Sequence, residues 1–385
     1  MAPWVCAACT FENEDDRKGS CQVCHTVRVF ECARCHERIR QGPRVMANGH
    51  TYHRECFQCT ACHQPFATPQ FQLKDGDPYH LDCYKTLFLP VCEVCDQQIP
   101  MNEAGNVVYK LVPFWDMKYC PTHDEHFRCC SCQRIEPCNP RKFFEVLSDG
   151  RKICHDCAMS TILDTNEAQN VVRDVWKFMA SIGISLPYIP VYLVEYGTLN
   201  EHRHAAHGGA GRAPPKFNPS GGFVTRGLCL SEVTEIQHVV RDGSCHTPQI
   251  ARLETSRTVN AILILHGLPY DLTAQVLAHE ATHAFIKLQN GFPRQISPKV
   301  EEGVCQLISY LWLKYKHVVS AESDCGCKDP SVAFNSRLRE FLMHQIEQDA
   351  SEVYGEGFRR ALDAYERTHS LQSLFDSIRC HGCLP

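Results

Sequence analysis

The sequence predicts a multidomain chain in which small metal-stabilised β modules precede a larger α+β, mainly helical domain. Three observations carry that prediction. Of the 26 cysteines among 385 residues, 19 fall within residues 1–157. Most of these are paired as C-x2-C and interleaved with histidine, the spacing of zinc knuckles. From about residue 158 cysteines thin out and helical periodicity takes over, with an H-E-x-x-H pentapeptide at 279–283. A chain of this length holds roughly two to four domains. Its cysteine-rich units are too short to bury a sufficient apolar core, so they need metal to fold.

Met1-Ala2-Pro3-Trp4 leads directly into a metal motif, without the basic and apolar segments of a secretory leader. Cysteine pairs reserved for zinc belong in a reducing compartment, so the expected location is cytoplasmic, with the nucleus also open. No stretch approaches the ~18 apolar residues of a membrane span, and a net charge of −5 offers no basic footprint for nucleic acid. The boundaries read as 1–28, 30–88, 90–160 and 161–385, with a Gly/Pro/His-rich insertion at 202–222 expected to be a flexible surface loop.

The first module places Cys6 and Cys9, then Cys21 and Cys24, as ligands of one tetrahedral site. With Trp4, Thr10, Phe11 and Asn13, the order W-x-C-x2-C-T-F-x-N resembles the Ran-binding-protein type of zinc finger, in its ubiquitin-binding subclass. That resemblance implies a ubiquitin contact through Thr10, Phe11 and Val23. The loop between the cysteine pairs is one residue longer than usual. Relatives of this type that bind single-stranded RNA use basic and aromatic side chains, whereas Glu12, Glu14, Asp15 and Asp16 here would repel phosphate.

Next come Cys32, Cys35, His53 and Cys56, then Cys59, Cys62, His80 and Cys83. These are two sets of four separated only by Phe57-Gln58, with a 17-residue gap inside each set. The pattern resembles the LIM domain, two zinc knuckles packed through an aromatic such as Phe57, and implies a protein-binding platform. A degenerate second LIM-like module follows. Cys129, Cys132, Cys154 and Cys157 make its second knuckle. In its first knuckle Cys92 and Cys95 are joined either by Cys120 and His123 or by His123 and His126. The first pairing keeps a thiolate and is favoured. Cys130 and Cys138 are left without a role. In all, about five structural zinc ions are expected.

In the remaining chain, residues 165–179 read as an amphipathic helix, 191–194 as a short strand, and 258–265 as a buried or cleft-edge strand. The H-E-x-x-H segment, His279-Glu280-Ala281-Thr282-His283, lies in a proline-free run with uncharged flanks. On a helix its two histidines share a face and can reach one zinc. Glu280 is then placed to act as base on a zinc-bound water. A catalytic zinc needs a third protein ligand and an open position. Glu302 completes H-E-x-x-H-x18-E, the gluzincin arrangement, and Glu301 points elsewhere as a supporting or surface residue. Cys325, Cys327, Cys380 and Cys383 are read as thiols without a metal.

The ordered segments 119–123, 128–132, 164–167, 226–232, 261–269, 277–283, 301–306 and 344–358 extend the likeness over residues 30–385. The chain resembles the ubiquitin-activated LIM peptidases that limit organ growth in plants, the "DA-one" family. The resemblance implies a zinc metallopeptidase that cuts protein substrates, among them components of the ubiquitin system, and that is regulated by ubiquitin. Plant members carry N-terminal ubiquitin-interacting helices, and the Cys6–Cys24 finger stands in their place. An oxyanion donor is expected from a later helix, with Tyr354 and His344 as candidates. The strand at 261–265 is expected to bind the substrate backbone. The alternative is a non-catalytic LIM and zinc-finger adaptor for ubiquitinated proteins.

Overall fold

The computed structural model describes residues 3–14, 19–39, 43–47, 49–68, 70–103, 106–206, 225–240, 249–322 and 329–385. The chain divides into two compact units, Met1–Cys92 with Asp96–Tyr109, and Glu93–Cys95 with Lys110–Pro385.

The first unit is built from hairpins too short to hold themselves. In the finger, β1 (Trp4–Val5) pairs antiparallel with β2 (Glu12–Asn13). The fully buried Asn13 ties the two halves, its amide donating to the Phe11 carbonyl and its Oδ1 accepting from the Gln22 N–H. The LIM domain adds β3 (Phe30–Glu31) with β4 (Arg38–Ile39), β5 (Arg44–Ala47) with β6 (His50–His53), and β7 (Phe71–Lys74) with β8 (Asp77–His80), followed by α1 (Leu81–Phe88). Phe57 lies between the knuckles, its ring 5.0–5.3 Å from those of Tyr52, Phe66 and Phe71. Finger and LIM domain are joined by a stack in which the Arg28 guanidinium sits 4.9 Å from the Trp4 ring and 4.8 Å from Phe30, with Arg44 4.1 Å from Phe30.

The second unit begins with the hairpin β9 (Lys110–Val112) and β10 (Met117–Tyr119). The second LIM-like knuckle supplies β11 (Glu145–Val146), β12 (Lys152–Ile153) and α2 (His155–Ala158). Then follow β13 (Thr161–Ile162), α3 (Thr165–Ser181), β14 (Val191–Val194), α4 (Tyr196–Ala206), β15 (Gly227–Val240), β16 (Gln249–Leu265) and β17 (Leu268–Pro269). Helices α5 (Tyr270–Leu288), α6 (Pro298–Glu322), α7 (Pro330–Glu347), α8 (Gly357–Thr368) and α9 (Leu371–His381) complete it. The Asp164-Thr-Asn-Glu167 segment is a capping box at the start of α3. Asp164 accepts from the N–H groups of Asn166 and Glu167, while Glu167 reaches back to the N–H of Leu163.

The run at 258–265, expected as a buried or cleft-edge strand, takes the buried alternative: 262–265 pair in parallel with β14, 261–264 pair antiparallel with β15, and Ala261–Leu265 are buried. Both hydrogen-bonding sides of residues 262–264 are therefore taken, and the edges of this sheet are β14 and β15. Packing is continuous across residue 160. Cys129, Cys132, Cys154 and Cys157 share one hydrophobic core with α3, α5 and α6, and β13 pairs with β17 just before α5. The helix α4 also extends to Ala206, into the expected insertion, whose residues 207–222 lie outside the described residues. The same holds for Asp15, Asp16, Cys325 and Cys327.

Helix α5 is apolar on nearly every side, with 13 of its 19 residues buried, as a central core helix must be. At its start Asp271 meets Arg339 of α7 at 2.7 Å, each side chain 6% exposed. Arg339→Met strands a buried carboxylate and should lower unfolding free energy by about 3–5 kcal/mol in denaturant titration, whereas Asp271→Leu with Arg339→Met should recover most of it.

Candidate metal centre

Helix α5 places His279 and His283 one turn apart, with ring centroids 5.0 Å apart. Helix α6 brings Glu302 to them. Its Oε2 lies 3.1 Å from His279 Nε2 and 3.4 Å from His283 Nε2. Ligand atoms at ~2.0–2.1 Å from one tetrahedral zinc are about 3.3 Å apart, so this donor set fits that ion. Glu301 is also engaged. The Nδ1–H of His283 donates to its Oε1 at 2.8 Å, which leaves Nε2 with the lone pair a metal needs. Burial opposes ionisation of both carboxyls, yet their hydrogen bonds to imidazole hold Glu301 and Glu302 below the ordinary carboxylate range.

Glu280 is 8% exposed and lies against the start of β15. A Cβ at Gly227 would stand 2.7 Å from Glu280 Cγ and Oε1, so glycine is what lets the strand pass this close. Two thiols that the motif did not reveal flank the centre. Cys305 is fully buried within hydrogen-bonding reach of His283, and burial pushes it up to about 12. Burial likewise pushes Cys229 on β15 up to about 11. Neither thiol is among the atoms that converge with His279 Nε2 and His283 Nε2, where Glu302 Oε2 is the third donor. The four-residue spacing of Glu301 and Cys305 on α6 was the available signal for Cys305.

The two oxyanion candidates separate. Tyr354 sits in a π-turn, Glu352–Glu356, whose N–H groups at Tyr354 and Gly355 are capped by Ser351 Oγ. Burial, then the charges of Glu302 and Glu280, push its hydroxyl above the ordinary tyrosine range. His344 is placed elsewhere: it faces the β9–β10 hairpin, its ring 5.4 Å from that of Phe114. The turn carrying Tyr354 is seated by glycines. A Cβ on Gly303, next to Glu302, would lie 2.4 Å from the Gly357 carbonyl oxygen, and one on Gly355 1.9 Å from that of Asp349.

The sulfur sites form five groups with ligand atoms within 4.8 Å of one another: Cys6, Cys9, Cys21 and Cys24; Cys32, Cys35, His53 and Cys56; Cys59, Cys62, His80 and Cys83; Cys92, Cys95, Cys120 and His123; Cys129, Cys132, Cys154 and Cys157. His126 Nε2 lies 3.3 Å from His123 Nδ1, beside the fourth group. Cys130 is a partly buried thiol next to the fifth, and Cys138 is exposed, as are Cys380 and Cys383. On the finger, Thr10 takes a positive φ of 58°, and Phe11 and Val23 are 40% and 59% exposed. No helix among the described residues is long and apolar enough to cross a membrane.

The fold and its sites define a zinc-binding LIM protein whose cysteine-rich modules precede a mostly helical C-terminal domain. The DA1-like family model, "Protein DA1", matches residues 184–381, and the LIM domain model matches 32–88. The chain is 38% identical over 381 residues to Protein DA1-related 1 of Arabidopsis thaliana, covering 92% of this chain and 66% of that one. It is 36% identical over 374 residues to Protein DA1 of the same plant, covering 92% and 68%. With the LIM domain-containing protein HDR3 of Oryza sativa subsp. japonica it shares 35% over 411 residues, covering 99% and 74%. The chain belongs to the DA1 family.

Gly303→Ala should force α6 and the Tyr354 turn apart. A loss of about 1–3 kcal/mol in thermal or denaturant unfolding is expected, with His279, His283 and Glu302 themselves unchanged.

Proposed function

We propose that this chain is a zinc metallopeptidase of the gluzincin type that hydrolyses peptide bonds in protein substrates, ubiquitin-pathway components among them, under regulation by ubiquitin. The observation that carries the reading is the convergence of His279 Nε2, His283 Nε2 and Glu302 Oε2, with Glu280 beside them and not in the ligand set. Family membership and the intact H-E-x-x-H-x18-E pattern support it.

A zinc ion held by His279, His283 and Glu302 would polarise the scissile carbonyl and bring the pKa of a coordinated water toward ~7. Glu280 accepts the proton of the attacking water and returns it to the leaving amine. Glu301 keeps the His283 ring in one tautomer and one orientation. Tyr354, whose raised pKa keeps its hydroxyl protonated beyond the alkaline range of an ordinary tyrosine, donates to the developing oxyanion. The substrate backbone adds to the edge of β15, which passes directly by Glu280, and not to the enclosed strand at 261–265.

The recruiting surface is proposed on the finger. Thr10, Phe11 and Val23 are solvent-facing although two of them are apolar, and Phe11 is not consumed as a core residue. Ubiquitin bound there is read as the counterpart of ubiquitin recruitment in the family, with the LIM domain as a second protein-binding platform.

Glu280→Gln should retain the zinc content of wild type and lose cleavage of co-expressed ubiquitin-pathway proteins by about 10²–10⁴-fold. Equal processing by both forms would leave the adaptor reading in its place. Tyr354→Phe should lower kcat by about 10²–10³-fold with KM little changed, read in single-substrate kinetics. In a calorimetric titration with ubiquitin, Thr10→Ala with Phe11→Ala should abolish the heat of binding, and unaltered affinity would remove the finger from the recruiting role.

A further inference from the structure

The second LIM-like knuckle is wired into the catalytic helix by contacts that a displaceable module would lack. Its last ligand, Cys157, is followed within five residues by β13, which pairs with β17, and β17 runs straight into α5. The Tyr270 N–H at the start of α5 donates to the Ser160 carbonyl, and the Thr161 hydroxyl donates back to the Cys157 carbonyl. From the other side, Arg226 at the start of β15 donates to the carbonyl of Cys130, inside the knuckle, at 3.2 Å. Arg151 of the knuckle is fully buried and donates to the carbonyl of His266, at the end of β16, at 2.7 Å.

The charge is wired as well. Four thiolates around one dication leave an excess negative charge that a buried site must have answered. Arg134 answers it, donating to Cys132 Sγ at 3.3 Å and to Cys154 Sγ at 3.1 Å, and pairing with Asp156 at 2.7 Å. The same guanidinium lies 4.9 Å from the ring of Phe334 on α7. That helix carries Arg339, the partner of Asp271 at the head of α5. Without the metal the four sulfurs are no longer held together, and Arg134 loses the fixed acceptors at Cys132 and Cys154 that place it against Phe334 of α7.

We propose that the zinc held by Cys129, Cys132, Cys154 and Cys157 is a built-in part of the C-terminal unit, without which α5 is not held and the metal at His279, His283 and Glu302 is not retained. The inference rests on the reading of those three residues as a zinc site. It makes this LIM-like knuckle a component of the catalytic machinery's scaffold and not a removable cover.

The test is zinc stoichiometry by native mass spectrometry on the full chain, together with thermal unfolding of the C-terminal unit. Cys59→Ser with Cys62→Ser should lose one zinc and leave that unfolding transition in place. Cys129→Ser with Cys132→Ser should lose two, its own and that of the H-E-x-x-H site, together with the cooperative transition. Loss of one zinc with the transition preserved would overturn the proposal. His279→Ala reports separately on the site at α5: if it removes no zinc, the metallopeptidase reading fails, and the unfolding transition alone then decides the structural claim. Arg134→Met leaves every ligand in place. It should cost hydrogen-exchange protection in α7 and the first turns of α5, and unchanged protection there would refute the arginine route.

Discussion

A core helix that must also carry two imidazoles and a carboxylate is the constraint around which the C-terminal unit is arranged. Burial of α5 supplies a large apolar stabilisation, but it also strips water from His279, Glu280 and His283. Each polar group therefore needs a partner from another element. Glu301 and Glu302 come from α6, the backbone of β15 closes over Glu280, and Arg339 neutralises Asp271 at the helix start. The close glycine contacts at Gly227, Gly303 and Gly357 are the geometric counterpart of this demand, because backbones must approach within van der Waals distance for such partners to reach.

Two kinds of donor set divide the chain. Sulfur-rich sets gather in the small modules, where a closed tetrahedral site substitutes for a core. The nitrogen and carboxylate set sits where a large core already exists, and its neighbouring thiols, Cys229 and Cys305, are kept protonated by burial. The fifth sulfur group belongs to both worlds, since its ligands are at once knuckle and core.

Local pattern made much of this legible. The strand Val191–Val194, the helix read at 165–179 and the motif helix all follow from periodicity and spacing, and the cysteine sets follow from C-x2-C arithmetic. What the pattern missed is long-range. An apolar run such as 258–265 looks the same at a sheet edge and at its centre, because the neighbours that decide the matter, β14 and β15, are distant in sequence. Tyr354 and His344 were indistinguishable for the same reason, until one was placed by a glycine-seated turn and the other by Phe114. The boundary at residue 160 followed a change in composition, whereas compactness follows shared burial, which runs through Cys157 into β13.

The stack of Trp4, Arg28, Phe30 and Arg44 bears on how the first unit would meet its partners. Two recognition surfaces on a slack tether search independently, and much of the gain from joining them is lost to the volume they sample. If finger and LIM domain each take a partner as proposed, the stack would make them one bivalent surface, in which engagement of either raises the effective concentration of the other, up to millimolar for short connections, provided the target spans the set distance. Such a surface gains its selectivity from geometry. A target bearing both features at the wrong separation is bound no better than one bearing a single feature.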